Sequence, residues 1–403
     1  MPSIVNDREL RGSDFRVGIS KQAEKDIVDA NPVFTPVRRT EGKTSKVVSY
    51  TNDPSVQVPG QAQEQIQENQ DLTMELSSVV SKQTIDWMIQ AANAETTQRA
   101  VTATDIAATA TGFTTTAEDF SVFPAGAGIW ISGFADTLIN KFYIVASSTA
   151  DEIVTVEAPP ATELSGASVT ITSNESLNDD LPTYNIIQTR ASDKTQADDI
   201  NYHTLFNGII NTISMEIGET GLLSATANFV AEGELAKADG TTEDRPIAGQ
   251  TISAPLTDRA LTSRKNAPSG VRGFFVDDVS ATCLVKSITI EINNDLQKGE
   301  AAACEATYTR GQFGVSGSAV ARSKISDPFI WRRRAWDGSR AKIAVLLSHG
   351  NNDETYIALN QNVVTENVMP DGNNVAANSE ISFVSEKDTV RNRTIEIYRN
   401  WTL

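Results

Sequence analysis

The stretch IINTISMEIGETGLLSATANFVAEGE, residues 209–234, decides the fold class of this chain. In its first half, the odd-numbered positions from Ile209 to Ile217 are apolar except for Asn211. An apolar residue at every second position is typical of a strand with one buried face. Because a glycine turn then leads into 221–234, the stretch predicts a long antiparallel hairpin. The chain is therefore expected to be mainly β.

More strands with the same alternation lie on both sides of this hairpin. In SITIEINNDL (287–296), the isoleucines face one way, while Thr289 and Glu291 face the other. This segment is predicted to pair with CEATYTRGQFGVSGSAVAR (304–322). Strands that each carry one apolar and one polar face predict antiparallel sheets. The other predicted strands of this kind are 15–20, 46–51, 71–77, 341–348, 355–360, 380–385 and 393–399.

One segment has a clear helical pattern. In SKQTIDWMIQAAN, apolar residues fall at i, i+3, i+4 and i+7, starting from Ile85. Ser81 is a suitable N-cap for a helix that begins there. The pattern predicts an α-helix over 83–93 that covers one face of a sheet.

Residues 101–176 are expected to form a separate inserted module. They are rich in Ala and Thr, and they contain nine acidic residues but only one basic residue, Lys141. Four short strands are evenly spaced, which is typical of a small β-barrel or sandwich. The aromatic residues Trp130, Phe134 and Tyr143 either form the core of this module or serve as a sugar-binding platform. The four strands are GIWISGF (128–134), KFYIV (141–145), EIVTVE (152–157) and SVTITS (168–173).

The charge of the chain argues against a protein that grips nucleic acid. Its 403 residues include 52 acidic and 34 basic ones, a net charge of -18. Proteins that bind nucleic acid from outside usually present a basic surface. Acidity serves either general solubility or a wall that repels DNA. The sequence has no apolar run of membrane-spanning length and no apolar stretch at its N-terminus, so neither a membrane span nor a signal peptide is expected.

No constellation of residues predicts catalysis. His203, His349, Cys283 and Cys304 are too few and too scattered for a metal site, and a disulfide between the cysteines is the weaker interpretation beside two buried thiols. Phosphate-binding and nucleophile-elbow motifs are absent from the sequence. We therefore expect no catalytic residue, no cofactor and no metal.

Two further segments are candidates for contacts between molecules. Residues 235–280 show no sustained periodicity and are interpreted as a long assembly loop, or else as a loop folded back on its own domain. Residues 322–342 carry seven bases and two acids, with tryptophans among them. Arginine and tryptophan are enriched at interface hot spots, although a solvated loop is the common role of a charge run. The predicted interface residues are Arg322, Lys324, Trp331, Arg332, Arg333, Arg334 and Trp336.

The order of these features resembles the major tail tube proteins of long-tailed, siphovirus-like bacteriophages. The polar strand DLTMELS and the helix at 83–93 come first, followed by a strand hairpin, a long loop and SITIEINNDLQ. The run from GQFGVSGSAVAR to RTIEIYRNW is similar to the closing strands of that family. The inserted module is similar to β domains that decorate some such tubes.

The resemblance implies a fold, an assembly and a set of partners. The fold is an antiparallel β-sandwich or half-barrel with one flanking α-helix, divided into an N-terminal part of the core (1–100), the insert (101–176) and the rest of the core (177–403). Subunits would form rings, usually hexameric, that stack into a tube in the virion tail after assembly in the host cytoplasm. The implied partners are copies of the chain itself, tape measure and tail terminator proteins, and DNA that passes through the lumen without specific binding; no membrane is involved.

In this interpretation the polar side chains of the long strands line the lumen. The candidates are Glu216, Asn228, Thr289 and Glu291, which otherwise face ordinary solvent. The alternative function is a phage tip or surface protein that binds a receptor or carbohydrate, and a third is a capsid decoration or head-completion protein. Self-assembly into uniform hollow fibres distinguishes the tube subunit from these alternatives.

Overall fold

The computed structural model describes most of the chain as strands. The described residues are 15–52, 65–92, 94–178, 183–192, 199–235, 247, 250–254, 259–264, 267–282, 284–299, 307–323, 330–368, 378–389 and 393–401. Within these ranges the chain is mainly β, as predicted, and has two α-helices. No helix in this part of the chain is long and apolar enough to cross a membrane.

The elements follow one another in this order. The first part contains β1 (Phe15–Lys21), β2 (Val33–Pro36), β3 (Arg39–Asn52), β4 (Gln65–Val79), α1 (Lys82–Ala91), β5 (Ala94–Ala103), β6 (Ala107–Ala108), β7 (Gly112–Thr114), a 3-10 helix (Phe120–Val122), β8 (Gly128–Ser132), β9 (Phe142–Ser148), β10 (Glu152–Thr155) and β11 (Val169–Asn178). The middle contains β12 (Asn185–Ser192), β13 (Asp199–Ile217), β14 (Ser224–Ala231), β15 (Gly233–Leu235), β16 (Thr251–Ile252), β17 (Gly270–Val276) and β18 (Val279–Ser280). The last part contains β19 (Val285–Asn293), β20 (Leu296–Gly299), β21 (Thr307–Arg310), β22 (Gly314–Arg322), α2 (Ile330–Asp337), β23 (Ala341–Gly350), β24 (Asp353–Val368), β25 (Asn378–Glu386) and β26 (Ile395–Arg399).

Eight antiparallel strands form one continuous sheet, which we call the long sheet. Its order is β3-β4-β14-β13-β19-β22-β25-β24. Only the second half of β24, residues 361–368, takes part in it. The predicted hairpin is the pair β13–β14, and the predicted partner strands 287–296 and 304–322 supply β19 and β22. The alternation in the sequence thus identified the centre of this sheet.

Two flanking sheets pack against the long sheet and make the fold a sandwich. The first has the order β16-β2-β1-β12-β13-β15, and the second has the order β18-β17-β23-β24-β26, extended by β11 and β5. Strands β13 and β24 each run from a flanking sheet into the long sheet. The main core lies between the layers and includes Met74, Ile213, Phe229, Ile290, Val315, Val345, Ile357 and Ile397.

Helix α1 covers the apolar face of the long sheet. The backbone N–H of Ser81 donates to Thr84 Oγ1 at 2.7 Å, which satisfies a donor at the helix start. Eight of the helix residues are buried, and Trp87 packs edge-on against Phe229 with ring centroids 6.1 Å apart. The helix ends at Ala91, whose carbonyl accepts a hydrogen bond from the Asn294 side chain. The predicted helix of 83–93 is confirmed, with its end two residues earlier.

The inserted segment folds as a small β module on the second flanking sheet. Its first and last strands, β5 and β11, pair along their whole length, and the strands between them close a core of their own. Trp130, Phe134 and Tyr143 are all buried in that core, so they do not form an exposed sugar platform. The same core includes side chains of the flanking sheet, namely Ala344, Leu346, Tyr356, Ala358 and Tyr398. The insert therefore covers apolar surface that another part of the chain provides.

Four details differ from the sequence predictions. Residues 330–337 form a second helix, α2, where the sequence predicted one helix and a charged loop. The predicted loop of 235–280 contains strands β16 to β18, and Ile247 and Leu261 are buried against their own chain, so its described parts match the folded-back alternative. A β-bulge at Asn211 turns Ile210 into the core, where the sequence placed Ile209. The segment 32–44, for which no strand was predicted, contributes β2 and the start of β3, and Cys283 and Cys304 lie outside the described residues.

Burial of His349 makes the stability of the fold depend on pH. The imidazole packs against Trp401, and its Nε2 lies 2.9 Å from Thr355 Oγ1. Burial lowers its pKa to about 3. The unfolded chain takes up a proton below pH 6.5, whereas the folded chain does so only near pH 3, so stability falls as the pH drops below 6.5. The loss is about 1.4 kcal/mol per pH unit, or about 2 kcal/mol at pH 5.

Urea unfolding of the wild type and of His349→Gln measures this contribution. Other groups also titrate, so the informative quantity is the difference in free energy of unfolding between the two proteins. We expect this difference to change by about 2 kcal/mol in favour of the variant between pH 7 and pH 5. A difference that stays constant with pH would contradict the assignment.

Candidate functional site

One face of the long sheet is polar, no element of the described part of the chain covers it, and it contains the four predicted lumen residues. Glu216, Asn228 and Glu291 are exposed, and Thr289 is half-buried. Glu216 lies directly opposite Thr289 across the β13–β19 ladder. The Asn228 amide donates to Thr212 Oγ1 at 2.8 Å on the neighbouring strand. The structure thus brings the four residues together on adjacent strands.

The same face carries more carboxylates than the sequence analysis identified. Cross-strand partners share a face, so the ladders place Glu75 beside Lys43 and Asn228, and Glu366 and Glu380 at the other end of the sheet. The sequence signal for Glu75 was available, because it alternates with buried Met74 and Leu76. Hydroxyl groups fill most of the space between the carboxylates, from Thr73, Ser77, Ser214, Ser224, Thr226, Ser316, Ser318 and Ser382. The face is therefore polar and acidic along its width.

Helix α2 contains most of the predicted interface residues, and it divides them into two groups. Trp331 packs beside Val364 and Ile381, while Arg334 lies over the Trp331 ring and forms an ion pair with Asp277. These contacts hold α2 on its own chain. The second group is exposed and comprises Arg322 at the end of β22 and Arg332, Arg333 and Trp336 on the helix; Lys324 lies outside the described residues.

Helix α2 is packed less closely against the chain than helix α1. None of the α2 residues is buried, and Trp336 is 91% exposed. A cavity of about 220 Å³ lies between the helix and the β17–β18 turn, with Val276, Leu284 and Ile330 in its wall. Helix α2 thus has one tryptophan, Trp331, packed on its own chain and a second, Trp336, that is almost fully exposed.

The buried ionisable groups away from this face hold strands together. Tyr398 Oη lies 3.1 Å from Glu175 Oε1 and 2.9 Å from Glu396 Oε2, which connects β26 to β11. Glu354 accepts a hydrogen bond from Trp130 Nε1 at 2.9 Å and so connects the insert to β24, and burial raises the pKa of this carboxyl. Across the part of the chain that the structure describes, no group of three or more His, Cys, Asp or Glu residues could hold a metal ion.

Comparison with known families decides which assembly this architecture serves. A family model described as phage tail tube protein matches residues 44–392. The chain belongs to the phage tail tube protein family. The match covers the long sheet from within β3 to β25, both helices and the insert. No curated protein matches the chain.

Membership of the tail tube family confirms the resemblance found in the sequence. The protein is a structural component of the phage tail. The uncovered polar face and the exposed part of α2 are therefore the two surfaces of this tail tube protein whose roles need to be explained.

Proposed function

We propose that the chain assembles with copies of itself into rings that stack into the tail tube, with the polar face of the long sheet lining the lumen. The observation that carries this proposal is a wide sheet with one face packed and the other free of any covering element among the described residues. A sheet open at both edges exposes unpaired backbone groups, and ring closure removes such edges.

The chemistry of the polar face suits passage of DNA without specific binding. Affinity for DNA comes mainly from cations that neutralise phosphates. On a lumen wall, carboxylates repel the phosphates and uncharged hydroxyls do not attract them strongly. DNA therefore passes along the wall without binding to it. The resemblance to siphovirus tubes suggests six-fold rings, tape measure and tail terminator proteins as partners, and assembly in the host cytoplasm before the tail joins the virion.

Negative-stain microscopy of the purified protein at rising concentration tests the proposal. Hollow fibres of uniform width are the expected result. A protein that stays monomeric under every condition, including addition of preformed tails as nuclei, would contradict the proposal.

Reversing the charge of the lumen is expected to make tubes retain DNA. The double variant Glu216→Lys and Glu291→Lys should still form tubes, because both side chains are exposed. Tubes of this variant should bind a short duplex with an affinity that falls steeply from 50 to 200 mM salt, by at least about tenfold. Because DNA inside a tube is sheltered, the bound duplex should resist nuclease.

A matched variant separates the lumen from the outer surface. Glu24→Lys with Asp29→Lys makes the same change of charge on the exposed loop between β1 and β2, outside the long sheet. Any DNA bound to these tubes should remain sensitive to nuclease. Equal protection in both variants would show that the polar face does not line the lumen.

A further inference from the structure

The chain repeats one arrangement of strands twice. The first set is β1, β2, β3, β4, α1, β12, β13, β14 and β15, and the second set is β17, β18, β19, β22, α2, β23, β24, β25 and β26. In both sets the flanking sheet has its strands in the same order, β2-β1-β12-β13-β15 and β18-β17-β23-β24-β26. Each set also contributes four strands to the long sheet, and their order is equivalent: β3-β4-β14-β13 in the first set and β19-β22-β25-β24 in the second.

Three register shifts of the ladders lie at equivalent positions in the two sets. The register of β3 with β4 shifts between Arg39 and Glu41, and that of β19 with β22 shifts at the equivalent place, between Val285 and Ser287. Two more shifts agree. One lies between Ile210 and Thr212 in β13 and between Val364 and Glu366 in β24, and the other between Asn185 and Ile187 in β12 and between Ala341 and Ile343 in β23. A bulge is specific to one position of one strand pair, so three matched bulges indicate a duplicated unit.

Core residues also match in the aligned strands. Counting from the shared bulge, Phe229 of β14 and Phe383 of β25 occupy the same position, and both are buried. Elements that break the repeat are additions to it: the insert with β5 and β11, and the strand β16. The small β20–β21 hairpin belongs to the repeat, because Leu296 opposite Arg310 matches Tyr50 opposite Gln67 at the far end of the β3–β4 hairpin.

The junction between the two units shows how one unit joins the next. β13 of the first unit pairs with β19 of the second, from Thr212 opposite Asn293 to Ile217 opposite Ile288. Helix α1 lies across this junction, in contact with both β13 and β19. The long sheet therefore continues from unit to unit without a break.

The long sheet of a single chain has a free edge strand at each end, and these two edges are complementary. Among the described residues, β3 pairs in the long sheet with β4 alone, and the second half of β24 pairs with β25 alone. β3 is the equivalent of β19, and β24 is the equivalent of β13. Helix α2, which is the equivalent of α1, contacts β24 and packs beside Ala321 of β22 and Ile381 of β25. Within the described residues, no strand beyond β24 takes the position that β19 has under α1.

We propose that β24 of one copy pairs with β3 of the next copy, and that this seam reproduces the internal β13–β19 junction. The inference rests on the proposed ring assembly and names the strands that close it. Transferring the internal register places Glu366 opposite Val47, Asn367 opposite Lys46 and Val368 opposite Ser45 of the neighbouring copy. Val47 is 57% exposed and Val368 is 46% exposed in the single chain, and in the seam each would lie beside a side chain of the neighbouring copy on the polar face.

The seam also gives α2 the strand that it lacks. In the position that α1 has over β19, α2 would lie over β3 of the next copy. Its exposed C-terminal turn, with Trp336, would then pack on that strand. Each ring would contain two repeated units for every chain. Around the ring, junctions within one chain would alternate with junctions between two chains. Heterologous pairing of two different edges closes a ring, whereas pairing of like edges gives a dimer.

Cysteine cross-linking of assembled tubes tests the seam. In a background with Cys283 and Cys304 replaced by serine, each of three double variants places cysteines at one opposed pair: Glu366 with Val47, Asn367 with Lys46, and Val368 with Ser45. Opposed residues on antiparallel strands come within disulfide distance. Mild oxidation of tubes should give a ladder of covalent multimers in at least one double variant, and no dimer in any single variant.

The outcomes distinguish the seam from the proposed function. Tubes that form normally but yield no cross-link in any double variant would overturn the seam and leave the tube function standing. Dimers from Lys46→Cys alone or Asn367→Cys alone would show that like edges pair, which also overturns it. A wild type that never forms tubes would instead overturn the proposed function and the seam with it.

A second measurement probes α2 without altering either edge strand. Trp336→Glu should raise the concentration needed for assembly at least tenfold and leave the melting temperature of the monomer unchanged, since the side chain is 91% exposed. Leu164→Glu is a matched control on the insert, where Leu164 is 87% exposed. Equal effects of the two variants on assembly would contradict the position of α2 at the seam.

Discussion

Removing the inserted module is expected to cause aggregation of the chain. The similarity of the module to β domains that decorate some tubes suggests that tube assembly does not need it. The structure gives it a second role, because it buries the outer face of the second flanking sheet, including Tyr356 and Tyr398. A deletion that replaces residues 104–168 by Asn-Gly keeps the β5–β11 hairpin, since Ala103 pairs with Val169. We expect the deletion to lower the free energy of unfolding by about 5 kcal/mol or more, because each of the two tyrosines buries about 150–250 Å².

A compensated deletion separates stability from assembly. Adding Leu346→Thr, Tyr356→Thr and Ala358→Ser to the deletion makes the uncovered face polar, and should restore a soluble chain. Light scattering and urea unfolding measure the first effect, and electron microscopy measures tube formation by the compensated chain. If the uncompensated deletion is as stable as the wild type, the insert is not a cover. If the compensated chain folds but makes no tubes, the insert takes part in assembly.

Truncating either of the two equivalent phenylalanines should destabilise the chain by a similar, large amount. Phe229 and Phe383 are each 1% exposed and occupy the same position in the two repeated units. Replacing a buried phenylalanine by alanine costs about 3–5 kcal/mol, through lost transfer free energy and the cavity that remains. We therefore expect Phe229→Ala and Phe383→Ala each to lower the free energy of unfolding by about 4 kcal/mol in urea.

Milder variants provide the controls for this pair. Phe229→Leu and Phe383→Leu keep most of the volume, and should cost less than half as much as the alanine variants. Val384→Ala changes the next residue of β25, which is 44% exposed on the opposite face, and should cost less than about 1 kcal/mol. A cost below about 1 kcal/mol for either alanine variant would contradict its place in the core.

Strands with strict alternation could be predicted from the sequence, and they make up the centre of the long sheet. The segments 209–217 and 287–293 each have one apolar face, because one side of the sheet is packed and the other is open. Irregular positions could not be predicted. The bulge at Asn211 has no distinct sequence signal, and it turns Ile210 inward where simple alternation predicts Ile209.

The repeat was hidden because equivalent positions face different surroundings. In β19 the inward residues are Ile288, Ile290 and Ile292, which are buried at the centre of the sheet. The equivalent positions of β3 are Gly42, Thr44 and Lys46, at the free edge. An edge strand of a soluble chain is protected from aggregation by polar and charged residues, so the hydrophobic pattern is lost there. Helix α2 escaped prediction for a related reason, since a helix that buries none of its residues has no apolar stripe.

The candidate site was predicted in part. Alternation placed Glu216, Asn228, Thr289 and Glu291 on polar faces, and pairing of the strands then showed that they share one surface. The sequence could not divide the basic segment into the residues that hold α2 on its own chain and those that remain exposed. That division depends on Asp277, which is distant in sequence and forms the ion pair with Arg334.

The insert interrupts only the first of the two repeated units, between α1 and β12; in the second unit α2 is followed almost at once by β23. A cylinder assembled from such chains would have an exterior that alternates around its circumference, with a projecting knob beside a bare sector. Fusing the two units in one polypeptide allows this, because a homomeric ring of single units would have to carry a knob everywhere or nowhere. Gene duplication would thus have freed one half of the subunit to change its outer surface while both halves kept the polar face that lines the bore.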